Sequence, residues 1–387
     1  MSGAREFDVI VFGATGFTVG MTAEYLAQHA PRELRWAIAG RSLDKLDVVK
    51  ARLLAIDPRH AAVKTVRASV DDPASLQRMA ASTRVLITTV GPFIDYGEPV
   101  AAACIEAGAD YIDSTGEPHF VSLLLGRYAE RARQAGVRVV PSCGFDAIPA
   151  DLGALFTVEK LPRDKPIRLA GFMRLEGVFS GGTERSALKA WVPPRDPVTA
   201  PVPVPSHGRR VSLVLDKPRK HAEFDKWITP LETVDGPTVQ RSAASLDVYG
   251  PDFTYSHNVV HASFAHLLAA GLMFGGARLL VRLAPARELL LRMVKKPGVG
   301  PTREQMDKAW FKLRFIAESD GKVVRTEVSG GDPGYKETSK MLAESGLCLA
   351  LDRAQLPLRN GVLTTAEAMG DLLIARLQRA GMSFRVL

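Results

Sequence analysis

The sequence predicts an α/β protein in which a Rossmann-type doubly wound parallel sheet is followed by a second, α+β domain. Three observations carry that expectation. Residues 7–150 alternate short β-branched or aliphatic runs with helical stretches, the order of a parallel sheet covered on both faces. A glycine-rich turn, Gly13 to Gly16, follows the first run directly and opens a helix. From about Asp151 the pattern changes to longer alternating segments, which suit an antiparallel sheet.

Residues 7–12 read as the first strand, and residues 21–29 continue the helix that starts in the glycine turn. Strands follow at 36–39, 63–68, 85–90, 111–113 and 137–140, with helices at 43–54, near 98–107 and at 120–134. That makes six strands with their connecting helices. In the second domain, residues 167–176, 310–318 and 322–328 read as strands. Asp320-Gly321 sits between the last two, where a tight hairpin needs positive φ angles. Residues 191–205 carry six prolines without a period and read as an irregular loop or arm, because proline has no backbone donor. Thr364 to Glu367 has the spacing of a capping box, and Met369, Leu372, Leu373 and Leu377 follow at helical spacing. The expected divisions are residues 1–150, residues 151–350 and a closing C-terminal helix in 351–387.

A chain of 387 residues with 46% hydrophobic and 24% charged residues is neither fibrous nor a polytopic membrane protein. Cys104, Cys143 and Cys348 are too few and too scattered for a disulfide framework or a metal site, so no metal is expected. The net charge of +8 favours anionic partners such as phosphates, acidic carriers or lipid headgroups, and does not by itself indicate nucleic acid. No basic, apolar and small-residue series precedes the first strand, so a cytoplasmic location is expected, with peripheral membrane contact left open.

In Gly13-Ala14-Thr15-Gly16-Phe17, glycines let the backbone turn sharply and approach a pyrophosphate, whose charge the helix N-terminus stabilises. Glycine returns at Gly20 rather than at Val19, one residue later than the usual fingerprint. The second strand ends in Gly40-Arg41-Ser42, with Lys45 one turn on and no acid to hold a ribose diol. Two cations and a hydroxyl suit a 2′-phosphate, so NADP is the expected cofactor; a merely solvated helix face is the alternative reading. Val90-Gly91-Pro92 ends the fourth strand where ligands of open α/β sheets bind, and is the expected nicotinamide side.

With these motifs, residues 7–17, Ala39 to Ser42, Val90 to Phe93 with Tyr96-Gly97, and Tyr111 to Glu117, the chain resembles the saccharopine dehydrogenase-like oxidoreductases. Cys143 to Asp151, Phe179 to Thr183 and Val328 to Tyr335 narrow the resemblance to the actinobacterial trans-acting enoyl reductases, nearly end to end. The resemblance implies a Rossmann domain, a substrate domain, and NADPH-dependent reduction of a double bond on an acyl chain held by a polyketide synthase or carrier protein. A saccharopine-type amino-acid dehydrogenase, or a non-catalytic nucleotide-fold protein at a lipid surface, are the alternatives.

Reducing an activated alkene takes a hydride at one carbon, a proton at the next, and a donor for the enolate oxygen. Candidate donors are Tyr96, Asp113, His119, Cys143 and Asp146. Asp113, Asp146 and His119 stand where side chains also cap helices, and Cys143 equally reads as a small packed residue. Ser180-Gly181-Gly182-Thr183 reads as either an anion-binding nest or a bland turn. Residues 262–277 carry no Lys, Arg, Asp or Glu, and Arg278, Arg282, Arg287, Arg292, Lys295 and Lys296 follow against Glu288 alone. Pro285 should break the helix between them. The segment, too short to span a bilayer, reads as a membrane-surface helix, the mouth of an acyl channel, or a core helix with a basic end.

Overall fold

The computed structural model describes residues 5–177, 208–281, 283–293 and 300–387. The described residues divide into two compact units, one of residues 5–145 and 334–380, the other of residues 146–177, 208–281, 283–293, 300–333 and 381–387. The expected proline-rich arm at 191–205 and the turn at Phe179 to Thr183 lie outside the described residues.

The first unit is a seven-stranded sheet, parallel throughout. In chain order its first six strands are β1 (Phe7–Phe12), β2 (Trp36–Gly40), β3 (Lys64–Arg67), β4 (Thr83–Thr88), β5 (Asp110–Asp113) and β6 (Arg138–Val140). They lie in the spatial order 6-5-4-1-2-3, and a seventh strand, Gly361–Val362, is added beside β6. Parallel neighbours need crossovers, supplied here by α1 (Phe17–His29), α2 (Leu43–Ile56), α3 (Pro73–Ser82), α4 (Phe93–Ala107) and α5 (Pro118–Gln134). Every residue of β1 and β2 is buried, as expected of strands covered on both faces. Strand order reverses between β1 and β4, which pair from Phe7 with Thr83 to Phe12 with Thr88. That reversal is the topological switch point of the sheet, where such folds bind ligands.

The second unit holds a mixed sheet rather than a purely antiparallel one. The hairpin strands Trp310–Ser319 and Lys322–Gly330 are antiparallel, and the turn between them has φ of +50° at Asp320 and +76° at Gly321, as the Asp-Gly step requires. Strand Ile167–Glu176, however, runs parallel to Asp252–His261, from Ile167 opposite Phe253 to Met173 opposite Val259. The long connection between them carries the helix Asp235–Ser245, and a connection of that length frees the strands from hairpin geometry.

The C-terminal region departs from a single closing helix. The capping box forms, with the Thr364 hydroxyl and the Glu367 carboxylate each accepting the other's backbone N–H, but the helix Thr365–Ala368 stops at Met369. A second helix, Gly370–Arg379, follows, and strand Ser383–Val386 then pairs with Lys322–Gly330 in the second unit's sheet. Helix Lys336–Leu351 belongs to the first unit, although it lies within the expected 151–350 division.

Candidate active site

The turn after β1 is fixed from three sides. The N–H groups of Gly13 and Ala14 both donate to Ala39 O, at 2.8 and 3.2 Å, and Gly16 N–H donates to Gly13 O at 2.8 Å. Gly13 has a φ of +87°, and a Cβ there would stand 2.5 Å from Val90 Cγ2. Only glycine satisfies both conditions, and its contact ties the β1 turn to the β4 turn across the switch point. Thr15 and Gly16 are exposed, and Gly16, the N-cap of α1, offers no side chain to the first helical amides. Those amides have no partner within the helix, so the turn presents donors and a positive dipole end to an anion. Phe17 starts the helix and Val19 is buried, so the one-residue shift of Gly20 still accommodates a packed α1.

At the end of β2, Arg41 and Lys45 are exposed, and neither forms an ion pair among the described residues. Ser42 caps α2, its hydroxyl accepting the Lys45 N–H at 3.4 Å and keeping its own proton available to donate. Sequence reasoning missed Arg67. It is exposed at the end of β3, directly opposite Gly40 in register, and it adds a third cation to this edge. A basic residue closing the third strand was the available signal.

At the β4 edge, Gly91 is exposed, Val90 and Pro92 are partly buried, and the Gly91-Pro92 peptide is cis. Glu117, buried, reaches across from the β5 turn and accepts the N–H groups of Phe93 and Ile94 at 3.0 and 2.9 Å. Its charge therefore occupies the N-terminus of α4, while that of α1 is left open. Tyr96, one turn into α4, is exposed.

Asp113, fully buried at the end of β5, accepts the Thr115 and Ser142 N–H groups through Oδ1 at 2.8 and 2.9 Å, and its backbone oxygen accepts Cys143 N–H at 2.6 Å. Its Oδ2 lies near the Tyr111 hydroxyl without a well-formed hydrogen bond. Burial pushes the carboxyl up to about 7, against the pull of the two amides. Ser142 has a φ of +62°, unfavourable for a residue with a side chain, and Asp113 holds that turn in place. Cys143 is fully buried, with its Sγ 3.3 Å from Val140 O. Asp113 and Cys143 thus stand together beneath the sheet edge, whereas Tyr96 stands at the surface. His119 lies in the first turn of α5, partly buried.

Helix Lys336–Leu351 also reaches this edge, a placement that no local pattern in the sequence signals. The Phe145 N–H donates to Thr338 Oγ1 at 3.1 Å, the Ser339 hydroxyl donates to Thr18 O at 3.0 Å, and Tyr335 meets Phe17 edge to face at 5.0 Å. The residues that brace the start of α1 thus come from more than 300 positions downstream.

In the second unit, Asp146 is exposed and adds to the electrostatic load on Asp235. Burial, opposed by the Thr233 hydroxyl and reinforced by Asp146, pushes the Asp235 carboxyl up to about 8. Nearby in sequence, Tyr255 and His257 are buried, with the hydroxyl 2.7 Å from Nδ1, and burial lowers His257 to about 4. The imidazole is therefore neutral at pH 7. Neither residue carried a sequence signal beyond its place in a strand.

The residues at the first unit's edge fit an NADP molecule: a turn that admits only glycine at Gly13, uncapped helical amides, and cations without carboxylate partners among the described residues. Fold and site together define a Rossmann-type oxidoreductase that uses NADP. The family model of the saccharopine dehydrogenase NADP-binding domain matches residues 9–140. Among solved structures, apo saccharopine dehydrogenase (L-Glu forming) from Saccharomyces cerevisiae is similar over 98% of this chain and 100% of its own, with a TM-score of 0.55 at 14% identity, a likeness of fold. A Mycobacterium tuberculosis (strain H37Rv) protein whose name places it among the trans-acting enoyl reductases is 37% identical over 413 residues, covering 98% of this chain and 97% of that protein. The trans-acting enoyl reductase of Mycobacterium ulcerans (strain Agy99) is 34% identical over 414 residues, covering 98% of each. The chain belongs to the trans-acting enoyl reductase family. Among the described residues no helix is long and apolar enough to cross a membrane, and no group of three His, Cys, Asp or Glu could hold a metal.

Proposed function

We propose that this protein is a cytoplasmic, NADPH-dependent enoyl reductase that reduces a carbon-carbon double bond of a lipid or polyketide acyl intermediate presented by a synthase or carrier protein. The observation that carries the reading is the similarity to trans-acting enoyl reductases over 98% of the chain, joined to an NADP-binding domain.

In this reading Gly13, Ala14, Thr15, Gly16 and Phe17 hold the pyrophosphate, Arg41, Ser42 and Lys45 hold the 2′-phosphate, and Val90, Gly91 and Pro92 form the nicotinamide side. The bound cofactor supplies a hydride. The chain must then protonate the adjacent carbon and stabilise the oxygen on which charge develops. Of the four proposed catalytic residues, Asp113 and Cys143 are fully buried, with Asp113 Oδ1 and Cys143 Sγ engaged by the backbone of the β5 and β6 turns. They are better suited to positioning. Tyr96 and Asp146 are exposed and able to meet a substrate, and of the two Tyr96 carries a hydroxyl donor, so Tyr96 is the proposed proton donor.

Purified protein, NADPH and a panel of enoyl thioesters test the reading by loss of nicotinamide absorbance. Turnover of enoyl thioesters is expected, and Tyr96→Phe should lower kcat roughly 100-fold with NADPH affinity unchanged. Oxidation of an amino-dicarboxylate substrate with no enoyl reduction would replace this reading with the saccharopine-type one. An unaltered kcat in Tyr96→Phe would remove Tyr96 from the chemistry.

A further inference from the structure

Helix Phe264–Leu280 is inverted relative to an ordinary surface helix. The side it turns inward carries Leu267, Ala270 and Ala277, which are only partly buried, and leads to the buried Val281. Its outward side carries Leu268, Leu272 and Leu279, and the following Leu283 extends the same stripe, at intervals of four and seven residues. Leu272 is 79% exposed, Leu279 65% and Leu283 59%, with Met273 at 61% beside them. A contiguous apolar surface of this kind marks an interaction site. The Trp227 ring, 5.0 Å from that of Phe264, anchors the start of the helix on the sheet. At 17 residues the helix is about 25 Å long, enough to lie along a bilayer and too short to cross one.

Charge selects the occupant. No Asp or Glu occurs in residues 253–287, and residues 262–296 contain six Lys and Arg against Glu288. Arg278 reaches Glu232 at 3.3 Å and Arg292 reaches Glu288 at 3.2 Å, while Arg287 forms no ion pair among the described residues. A second copy docked on this face would bring like charge against like, since a two-fold interface places the same patch on both sides. An anionic headgroup layer provides the opposite charge, and its acyl region accepts the leucines.

We propose that Phe264–Leu280 lies in the interface of an anionic membrane, leucine stripe inward, with Arg278, Arg287 and Arg292 supplying positive charge to the headgroups. This does not depend on the enzyme's substrate, because the surface is read from exposure and charge alone.

The test is cosedimentation of the full-length protein with vesicles of phosphatidylglycerol and phosphatidylcholine, or of phosphatidylcholine alone. Binding to the mixed vesicles should be about tenfold or more tighter than to phosphatidylcholine, and should weaken as salt is raised. Leu268→Glu/Leu272→Glu should abolish it while leaving the circular dichroism spectrum and NADPH binding unchanged. Absence of binding to the anionic vesicles would overturn the proposal, as would binding that the double variant retains. A stable dimer that the double variant splits would overturn it too, by assigning the face to a second copy.

Discussion

Gly13 and Arg41 serve one edge of the sheet through different physics, and measurement can separate them. Gly13 combines a φ of +87° with a Cβ position 2.5 Å from Val90 Cγ2. Gly13→Ala should therefore lower the thermal midpoint as well as NADPH affinity, through backbone strain and a steric clash. Adding Val90→Ala relieves the clash but not the φ, so the double variant should recover only part of the lost midpoint. Full recovery would mean that backbone conformation contributes nothing. Arg41, exposed at the end of β2, should leave stability alone. Arg41→Ala should weaken NADPH binding about ten- to a hundredfold and NADH binding little, as expected for loss of a charge-assisted bond to phosphate. Equal wild-type affinity for the two cofactors would reject the assignment. Both residues were legible in the sequence because their signals are local, glycines after a strand and cations after the next. Val90 as the limiting neighbour of Gly13 was not, since strand adjacency pairs residues that are 77 positions apart.

At the scale of elements, the parallel strands and the hairpin could be read from period and turn chemistry, each of which is set within a few residues. The affiliations of elements could not. Strand Gly361–Val362 is two residues long and gives no periodic signal. The helix Lys336–Leu351 looks the same in sequence whichever unit it joins, and its place beside α1 depends on contacts such as Ser339 with Thr18. The run from Met369 to Leu377 has helical spacing, yet Met369 leaves helical geometry and Gly370 has a φ of +48° at the junction. Glu117 is the most consequential of the long-range contacts. It caps α4 from the β5 turn, and Glu117→Ala would leave the Phe93 and Ile94 amides without that partner. The expected cost is roughly 2 kcal/mol in denaturant unfolding, from the loss of a buried, charge-assisted cap. Because the same carboxylate fixes the turn at Gly91 and Pro92, turnover should fall as well, with Arg41-dependent NADPH selectivity retained. A variant as stable as wild type would show that the amides find other acceptors.

For the whole molecule, stability should depend on pH through one buried carboxyl in each unit and one buried histidine. Asp113 in the first unit and Asp235 in the second have folded values of about 7 and about 8, against an ordinary 3.8. Between the ordinary and the folded value, the unfolded chain releases a proton that the folded chain retains. Each group therefore leaves stability intact below about 4 and lowers it as pH rises to its folded value, by about 1.4 kcal/mol per pH unit at most. His257 acts in the opposite sense. Its folded value of about 4 lies below the ordinary 6.5, so the unfolded chain takes up a proton that the folded chain refuses, and stability is lost as pH falls from 6.5 towards 4. From pH 5 to 6.5 the histidine offsets one of the two carboxyls, and above 6.5 both act unopposed until Asp113 has titrated. Urea unfolding from pH 5 to 8.5 should thus show a fall in stability that steepens near 6.5. Asp113→Asn preserves an acceptor for the Thr115 and Ser142 amides, and Asp235→Asn preserves one for the Thr233 hydroxyl, so both variants should fold. Relative to wild type, the first should gain stability up to about pH 7 and the second up to about pH 8, with no further gain above those values. A difference from wild type that does not change with pH would mean that these carboxyls are already ionised in the folded protein, and that their burial is relieved by water.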